Sequence, residues 1–570
     1  MHGRAKGVLA ELPVLVFDAQ ATGADASRGA LLEVGWARFS AGESREPTAP
    51  EVTAHVVAPP PGFVLPPAVA RLTGRSTSEW VLGVAPAAVW EALGRAARQV
   101  AREPVPLVVH FARFEEPFLR ALHGRHGAGP FPFRLVCTHA IARRLFPELP
   151  RRTLRALAGY FGAAVPPLRR SADHVVATAF VWRHLVTLLA AREGVTSLAA
   201  LDEWLARPAR RSRRQFPLPP ERRRGLPVGP GVYRFLRAGG SVLYVGKAAS
   251  LRQRVRGHFH SHAGEGERNL EMLTQVQDVS CTETATALEA ALLEADEIKR
   301  LCPPFNVALS AGGRAVWFTT ANLEGLREGS DPEHAVGPLV SPAPVEALQA
   351  LRDALRGGGS RPPALTQRSR AVGVDAAYGP GPECFAAGLA RFVQEHGPEA
   401  SARGLLRLGS RLWARRRSGA LASAAAPVEP QPETPRKRVW DAERVMRALE
   451  ETTLRAAHAV RRGRWLVRLS ECSLAWTEPG AERRRLLVIR VGAVAVRADL
   501  EPDAGVPVPP GHACTAAERR AAFDVATFDR LRVLTTELRA LVGGSATVEL
   551  RLGPTARLSR GRLQAVLRWV

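Results

Sequence analysis

Apolar residues in the first part of the chain come in short runs and then at helical spacing. Val14 to Phe17, LLEVGWARFS and EVTAHVVA are strand-like segments separated by turn residues. The stretch Ala85 to Ala101 carries one apolar helical stripe, and strand-like PLVVH and helix-like EPFLRALHGRHG follow. Further on, GVYRFL and VLYVG flank the turn RAGGS, a hairpin pattern. Ser250-Leu-Arg-Gln253 then reads as a capping box opening a helix on which Arg254 and His258, four apart, share a face. Thr286-Ala-Leu-Glu289 repeats that signature before a helix with Leu288, Ala291, Leu292, Ala295 and Ile298 on its buried stripe. Glu294 falls at the margin of the stripe, where a carboxylate can stay ionised while facing a cleft.

Two stretches break the periodicity, 207–225 (RPARRSRRQFPLPPERRRG) and 418–438 (SGALASAAAPVEPQPETPRKR), and both read as linkers. They leave an N-terminal unit (8–206), a small central unit (226–309), a poorly patterned region (310–417) and a C-terminal unit (439–570). The last opens with helix-like WDAERVMRALEETTLRAAHAVRRG. Strand-like LLVIRV and GAVAVRADL follow, then a helix around FDRLRVLTTELRAL, an α+β pattern of unassigned role. No repeat of fixed period is present.

Charge adds a partner class. With 79 Lys plus Arg against 54 Asp plus Glu the net charge is +25, which favours an anionic polymer such as nucleic acid. Six cysteines (Cys137, Cys281, Cys302, Cys384, Cys472, Cys514) lack C-x-x-C spacing, which argues against a zinc ribbon or disulfide framework and fits a reducing cytoplasm. No apolar stretch of spanning length is expected, so no membrane partner is either. His258, His260 and His262 alternate in GHFHSH, but no matching Cys or acidic cluster accompanies them and a helix would not put all three on one face, so zinc is not expected there.

The central unit carries the sharpest motif: Pro230-Gly-Val-Tyr233, Tyr244-Val-Gly-Lys247-Ala, Leu251-Arg-Gln-Arg254, Leu292-Leu-Glu294-Ala-Asp-Glu-Ile-Lys299 and Pro304-Phe-Asn306. It resembles the GIY-YIG nucleases, most closely the N-terminal domain of the excinuclease C family, with His258 where that family has Tyr. The chain has only four Tyr, four Lys and three Asn, and two Tyr, one Lys and one Asn fall on the first, second and last of these elements. The resemblance implies a single-metal phosphodiesterase. Glu294 would ligate Mg²⁺ (or Mn²⁺), and Tyr244 or His258 would take the proton from the attacking water. Arg254 and Lys247 would neutralise developing charge, Tyr233 would orient the water or phosphate, and Asn306 would hold backbone by hydrogen bonds.

The element order of the first unit is that of a ribonuclease-H-like α/β fold, and its motifs resemble the DEDD-type proofreading exonucleases. Asp18-Ala19-Gln20 stands for D-x-E, His110-Phe-Ala-Arg-Phe-Glu115 for the second motif, and Arg169-Arg-Ser-Ala-Asp-His174 for H-x-A-x-x-D. That chemistry needs four carboxylates around two metal ions and a histidine base. Only Asp18 and Glu115 remain. Gln20 is neutral, Arg169 replaces the base, His174 replaces a ligand, and Asp173 is one residue off register, about 100° round a helix. The expectation is an exonuclease fold with little or no exonuclease activity.

The whole therefore reads as a multidomain α/β and α+β protein, a bacterial DNA repair endonuclease of the excinuclease type. Its expected partners are damaged or distorted duplex DNA and damage-recognition repair proteins, its expected location the cytoplasm and nucleoid. Two alternatives stay open: a DNA-binding scaffold without catalysis, and a 3′ to 5′ exonuclease with residual activity.

Overall fold

The computed structural model describes residues 8–42, 50–63, 65–74, 77–100, 103–164, 168–208, 212–260, 266–307, 309, 314–357, 380–423, 440–478, 480–508, 514–544, 547–553 and 556–568. Mixed α/β domains make up two compact units, Met1–Ala285 with Pro303–Val307, and Thr286–Cys302 with Ala308–Val570.

The first unit begins with a five-stranded sheet of β1 (Val14–Ala21), β2 (Leu31–Phe39), β3 (Thr53–Val56), β4 (Val105–Val109) and β5 (Phe133–Cys137), in the order β3-β2-β1-β4-β5. The first three pair antiparallel, whereas β4 and β5 run parallel to β1 because helices return the chain between them. Both faces are covered, so Val14–Phe17 of β1 and all of β4 read as continuous apolar runs. The Ser171–Glu193 helix is long and apolar enough to span a bilayer, yet Trp182, Leu185 and Leu189 are fully buried in this domain's core.

The rest of the first unit is a small antiparallel sheet, β6 (Gly231–Leu236), β7 (Val242–Ala248) and β8 (Asp278–Glu283), in the order β7-β6-β8, with helices Leu251–Phe259 and Glu267–Gln275 packed on it. Leu218 is fully buried in this core with Leu226 beside it, so part of the 207–225 stretch is packed rather than a free linker. Loss of apolar periodicity in a Pro- and Arg-rich segment hid that anchor. The two subdomains are bolted together: Arg155 pairs with Glu271 at 2.9 Å and stacks over Phe305, and Gln277 donates to the Tyr160 carbonyl.

In the second unit the 310–417 region is ordered where described. Strands β9 (Trp317–Thr319), β10 (Leu326–Glu328) and β11 (Val336–Leu339) form one sheet, and helices Ala343–Leu355 and Pro382–His396 share a core with the first half of the Ala442–Leu469 helix. A separate C-terminal unit starting at 439 is thus not what forms. The second half of that helix packs on a five-stranded antiparallel sheet of β12 (Cys472–Trp476), β13 (Arg484–Arg490), β14 (Ala493–Leu500), β15 (Val548–Leu552) and β16 (Ala556–Ser559), with the Val525–Gly543 helix. One helix serving two cores erases the boundary. The proposed 418–438 linker lies largely outside the described residues.

Candidate active site

In the hairpin, Tyr233 pairs opposite Gly246 and Phe235 opposite Tyr244, so all four share one face. Tyr233 is fully buried, Tyr244 half-buried. The Leu251–Phe259 helix adds His258, whose Nε2 shares a 2.6 Å hydrogen bond with Tyr233 Oη. Ring centroids lie 6.1 Å apart for Tyr233 and Tyr244 and 6.0 Å for Tyr244 and His258. The motif glycines make this possible. A Cβ on Gly246 would sit 2.5 Å from Tyr233 Oη, and one on Gly231 would sit 2.3 Å from the Thr282 carbonyl oxygen, which is backbone and cannot yield.

Asn306 clamps the second strand. Val245 N–H donates to its Oδ1 and its Nδ2 donates to the Val245 carbonyl, both at 2.9 Å. Two other placements differ from the sequence reading. Lys247 pairs opposite Val232 and so projects from the face opposite the tyrosines. Tyr233, assigned to orient water, has no exposed surface, and its hydroxyl is committed to His258. Sequence spacing cannot show which of two motif tyrosines the sheet covers.

Burial and the exposed Arg254 one turn back push the His258 imidazole down to about 4, against a weaker upward pull from Asn269. The ring is therefore neutral at physiological pH. His260 is exposed, and His262 lies outside the described residues. The Ser250 side chain makes no capping hydrogen bond. Thr286 does cap its helix, but Glu289 turns away to Arg485 instead of closing a box.

Glu294 is half-buried on the Ala287–Leu301 helix, which belongs to the second unit. Within that unit three ionic contacts hold the helix. Arg485 Nη2 donates to Glu289 at 2.7 Å, Arg530 Nε to Asp296 at 2.8 Å, and Lys299 Nζ lies 2.6 Å from Asp529. Arg314 grips both oxygens of the fully buried Asp529 at 2.7 and 2.9 Å. Burial alone would raise the Asp529 carboxyl, but these donors hold it below the usual range. Leu288 and Leu292 add apolar contact with the C-terminal core. Nothing in the local pattern signals these partners, because a lone Asp on an amphipathic helix reads as solvated surface.

At the exonuclease-like site, Asp18 on β1 meets His174 Nδ1 at 3.3 Å. Burial disfavours the imidazolium, but the Asp18 charge and hydrogen bond outweigh it and raise the His174 pKa. Glu115 is buried, and desolvation followed by repulsion from Asp18 pushes it up to about 8. Gln20 Nε2 donates to the Arg169 carbonyl, and Asp173 accepts from the Arg169 and Arg170 amides as a helix cap. The pocket thus pairs Asp18 with His174 and holds Glu115 as a mostly protonated acid near neutral pH, leaving two carboxyl groups and an imidazole where four carboxylates would be needed. That donor set does not fit two divalent ions.

Residues 229–307 match the family model for the UvrC-like GIY-YIG domain. This stretch is a UvrC-like GIY-YIG domain. The chain is 33% identical over 298 residues to a Mycobacterium tuberculosis protein named as a bifunctional exonuclease/endonuclease, covering 51% of this chain and 44% of that one. The match is far longer than the GIY-YIG domain, so it takes in further sequence beside it. UvrABC system protein C of Chlorobaculum tepidum is 40% identical over 97 residues, 17% of this chain and 16% of that protein. The chain thus spans less than half the length of these relatives. Among solved structures, the GIY-YIG N-terminal endonuclease domain of UvrC from Thermotoga maritima, bound to magnesium as its catalytic divalent cation, is 29% identical. It covers 15% of this chain and 93% of that chain, with a TM-score of 0.14.

Proposed function

We propose that the chain is a DNA endonuclease of the GIY-YIG type that makes divalent-metal-dependent incisions in nucleotide excision repair or a related repair process. The observation that carries this reading is the Tyr233–His258 hydrogen bond beneath Gly246, assembled inside the UvrC-like stretch that also contains Glu294. Glu294 offers hard oxygen donors at a half-exposed position, a fit for Mg²⁺ or Mn²⁺ with water and phosphate completing the shell. Such an ion would supply charge stabilisation on the scissile phosphate and its leaving oxygen.

The chain's own groups do the rest. Tyr244, the less buried hydroxyl of the cluster, is better disposed than Tyr233 to meet the attacking water. His258 is neutral, as a base requires, but its Nε2 is engaged by Tyr233, which favours Tyr244 as proton acceptor with the Tyr233–His258 pair holding it in place. Exposed Arg254 supplies a guanidinium fork to the phosphate, and Asn306 fixes the strand that carries Tyr244. Lys247 adds positive charge from its own face of the hairpin.

Damaged or distorted duplex is the proposed substrate, in a bacterial cytoplasm and with damage-recognition proteins as loading partners. Mapping of cuts on end-labelled duplex carrying a bulky lesion, with and without such factors, tests this. A single-strand incision at a fixed distance from the lesion is expected. Failure on damaged, branched and undamaged DNA alike would favour the scaffold alternative.

The N-terminal domain is read as an exonuclease fold that has lost its reaction. One observation favours a second reading: Asp18 Oδ2 and Glu115 Oε2 are buried without hydrogen-bond partners, leaving oxygen donors for one cation and for residual 3′ trimming. Trimming abolished by Asp18→Ala would establish it.

A further inference from the structure

The second unit contains a cleft of about 530 Å³ that the proposed incision chemistry does not use. That size is within the roughly 300–1,000 Å³ of ligand clefts. The Ala402–Ser423 helix contributes Trp413, the Ala442–Leu469 helix His458 and Arg462, and the Val525–Gly543 helix Arg539, with Arg568 at the end of the last helix. Every formally charged residue lining it is an arginine. A second cleft of about 360 Å³ shares Trp413, His458 and Arg462, and there the balance differs. Glu451 accepts from Arg416 at 2.7 Å and from Arg455 at 2.8 Å, so one carboxylate offsets part of the charge of those two cations.

Arg462 has no such compensation among the described residues. The charges that act on it are Arg532 and Arg539, and burial together with their repulsion lowers its pKa. A half-buried guanidinium among like charges gains from an incoming anion, and Arg matches phosphate oxygens with two parallel hydrogen bonds. Beside it the Trp413 and His458 rings lie 5.0 Å apart at 32°, a wall on which a flat ring can stack.

We propose that this cleft binds a segment of single-stranded DNA, with phosphates on Arg462, Arg539 and Arg568 and a base against the Trp413–His458 wall. The pairing of an arginine cluster with aromatic rings suits a nucleotide unit better than a bare anion, and two adjoining clefts suit a continuing strand. An unstacked base is required, since a duplex keeps its ring faces covered. The choice of DNA rests on the nuclease reading; the site itself does not depend on cleavage.

The test is fluorescence anisotropy of the full chain with a labelled thymidine oligonucleotide in EDTA, where no incision can contribute. Arg462→Ala with Arg539→Ala should weaken binding by about tenfold or more and flatten the log affinity against log salt slope by about 1.4, two phosphates at about 0.7 each. Trp413→Ala should cost about tenfold. Arg539 and Arg568 are exposed, so Arg539→Glu with Arg568→Glu repeats the test without threatening the core. Affinity and slope unchanged in these variants would overturn the proposal. So would displacement of the oligonucleotide by inorganic phosphate at equal phosphate concentration, which would mark a lone-anion site.

Discussion

Tyr233 is an interior residue with a polar task. Its hydroxyl reaches His258 at 2.6 Å, and Gly246 leaves it room. Tyr233→Phe keeps the packing and removes that bond, so plasmid nicking should fall roughly tenfold, less than the roughly 100- to 10,000-fold expected for loss of the proton acceptor itself. A fall in nicking alongside a stability loss of only about 1 kcal/mol, the cost of one hydrogen bond, is the expected pattern. The depressed His258 pKa has a signed consequence. Its ordinary value is 6.5 and the folded one about 4, so the unfolded chain binds more protons between those limits. This residue's contribution to stability is therefore present above about pH 6.5 and lost as pH falls towards 4. Thermal unfolding at pH 7.5 and pH 5 should show a larger acid loss in wild type than in His258→Gln, and equal losses would mean an ordinary imidazole. Glu115 behaves oppositely, raised from 4.5 to about 8, so its contribution declines as pH rises through that range. Glu115→Gln should stabilise the protein at pH 8 by at least about 1 kcal/mol, read from denaturant midpoints.

The decisive element is the Ala287–Leu301 helix. Its 3.6-residue stripe was legible in the sequence, as was Glu294 at the stripe's margin. Its anchorage by Arg485, Arg530 and Asp529 was not, since those partners lie some two hundred residues away and charged positions look alike whether solvated or paired. Asp529 is buried and receives both Lys299 and Arg314. Asp529→Ala leaves two cations facing an empty acceptor, and should destabilise the second unit by about 3 kcal/mol. Because the same helix carries Glu294, nicking should fall with it, and Asp529→Glu should restore part of both. Loss of stability with full nicking in the folded fraction would show that the anchorage is only structural. The hairpin, by contrast, was readable almost entirely from local pattern, because RAGGS turn chemistry and alternation fix its register. What alternation left open was the division of labour between the two tyrosines, which depends on the packing above them.

At the scale of the molecule, the first unit joins the five-stranded α/β domain to the GIY-YIG hairpin through the Arg155–Glu271 pair, and the Glu294 helix belongs to the core of the second unit. Asp18 faces His174 at 3.3 Å, and on the proposed function Glu294 is the residue on which incision depends. The end of the central unit near 309 was legible, whereas a boundary at 439 was not what formed, because the Ala442–Leu469 helix serves two cores and composition does not mark a shared element. The most direct measurement is nicking of supercoiled and lesion-bearing DNA in Mg²⁺ by wild type, Asp18→Ala and Glu294→Ala. Metal-dependent nicking retained in Asp18→Ala and lowered at least about a thousandfold in Glu294→Ala is predicted. Undiminished nicking by Glu294→Ala would contradict a Glu294-centred incision.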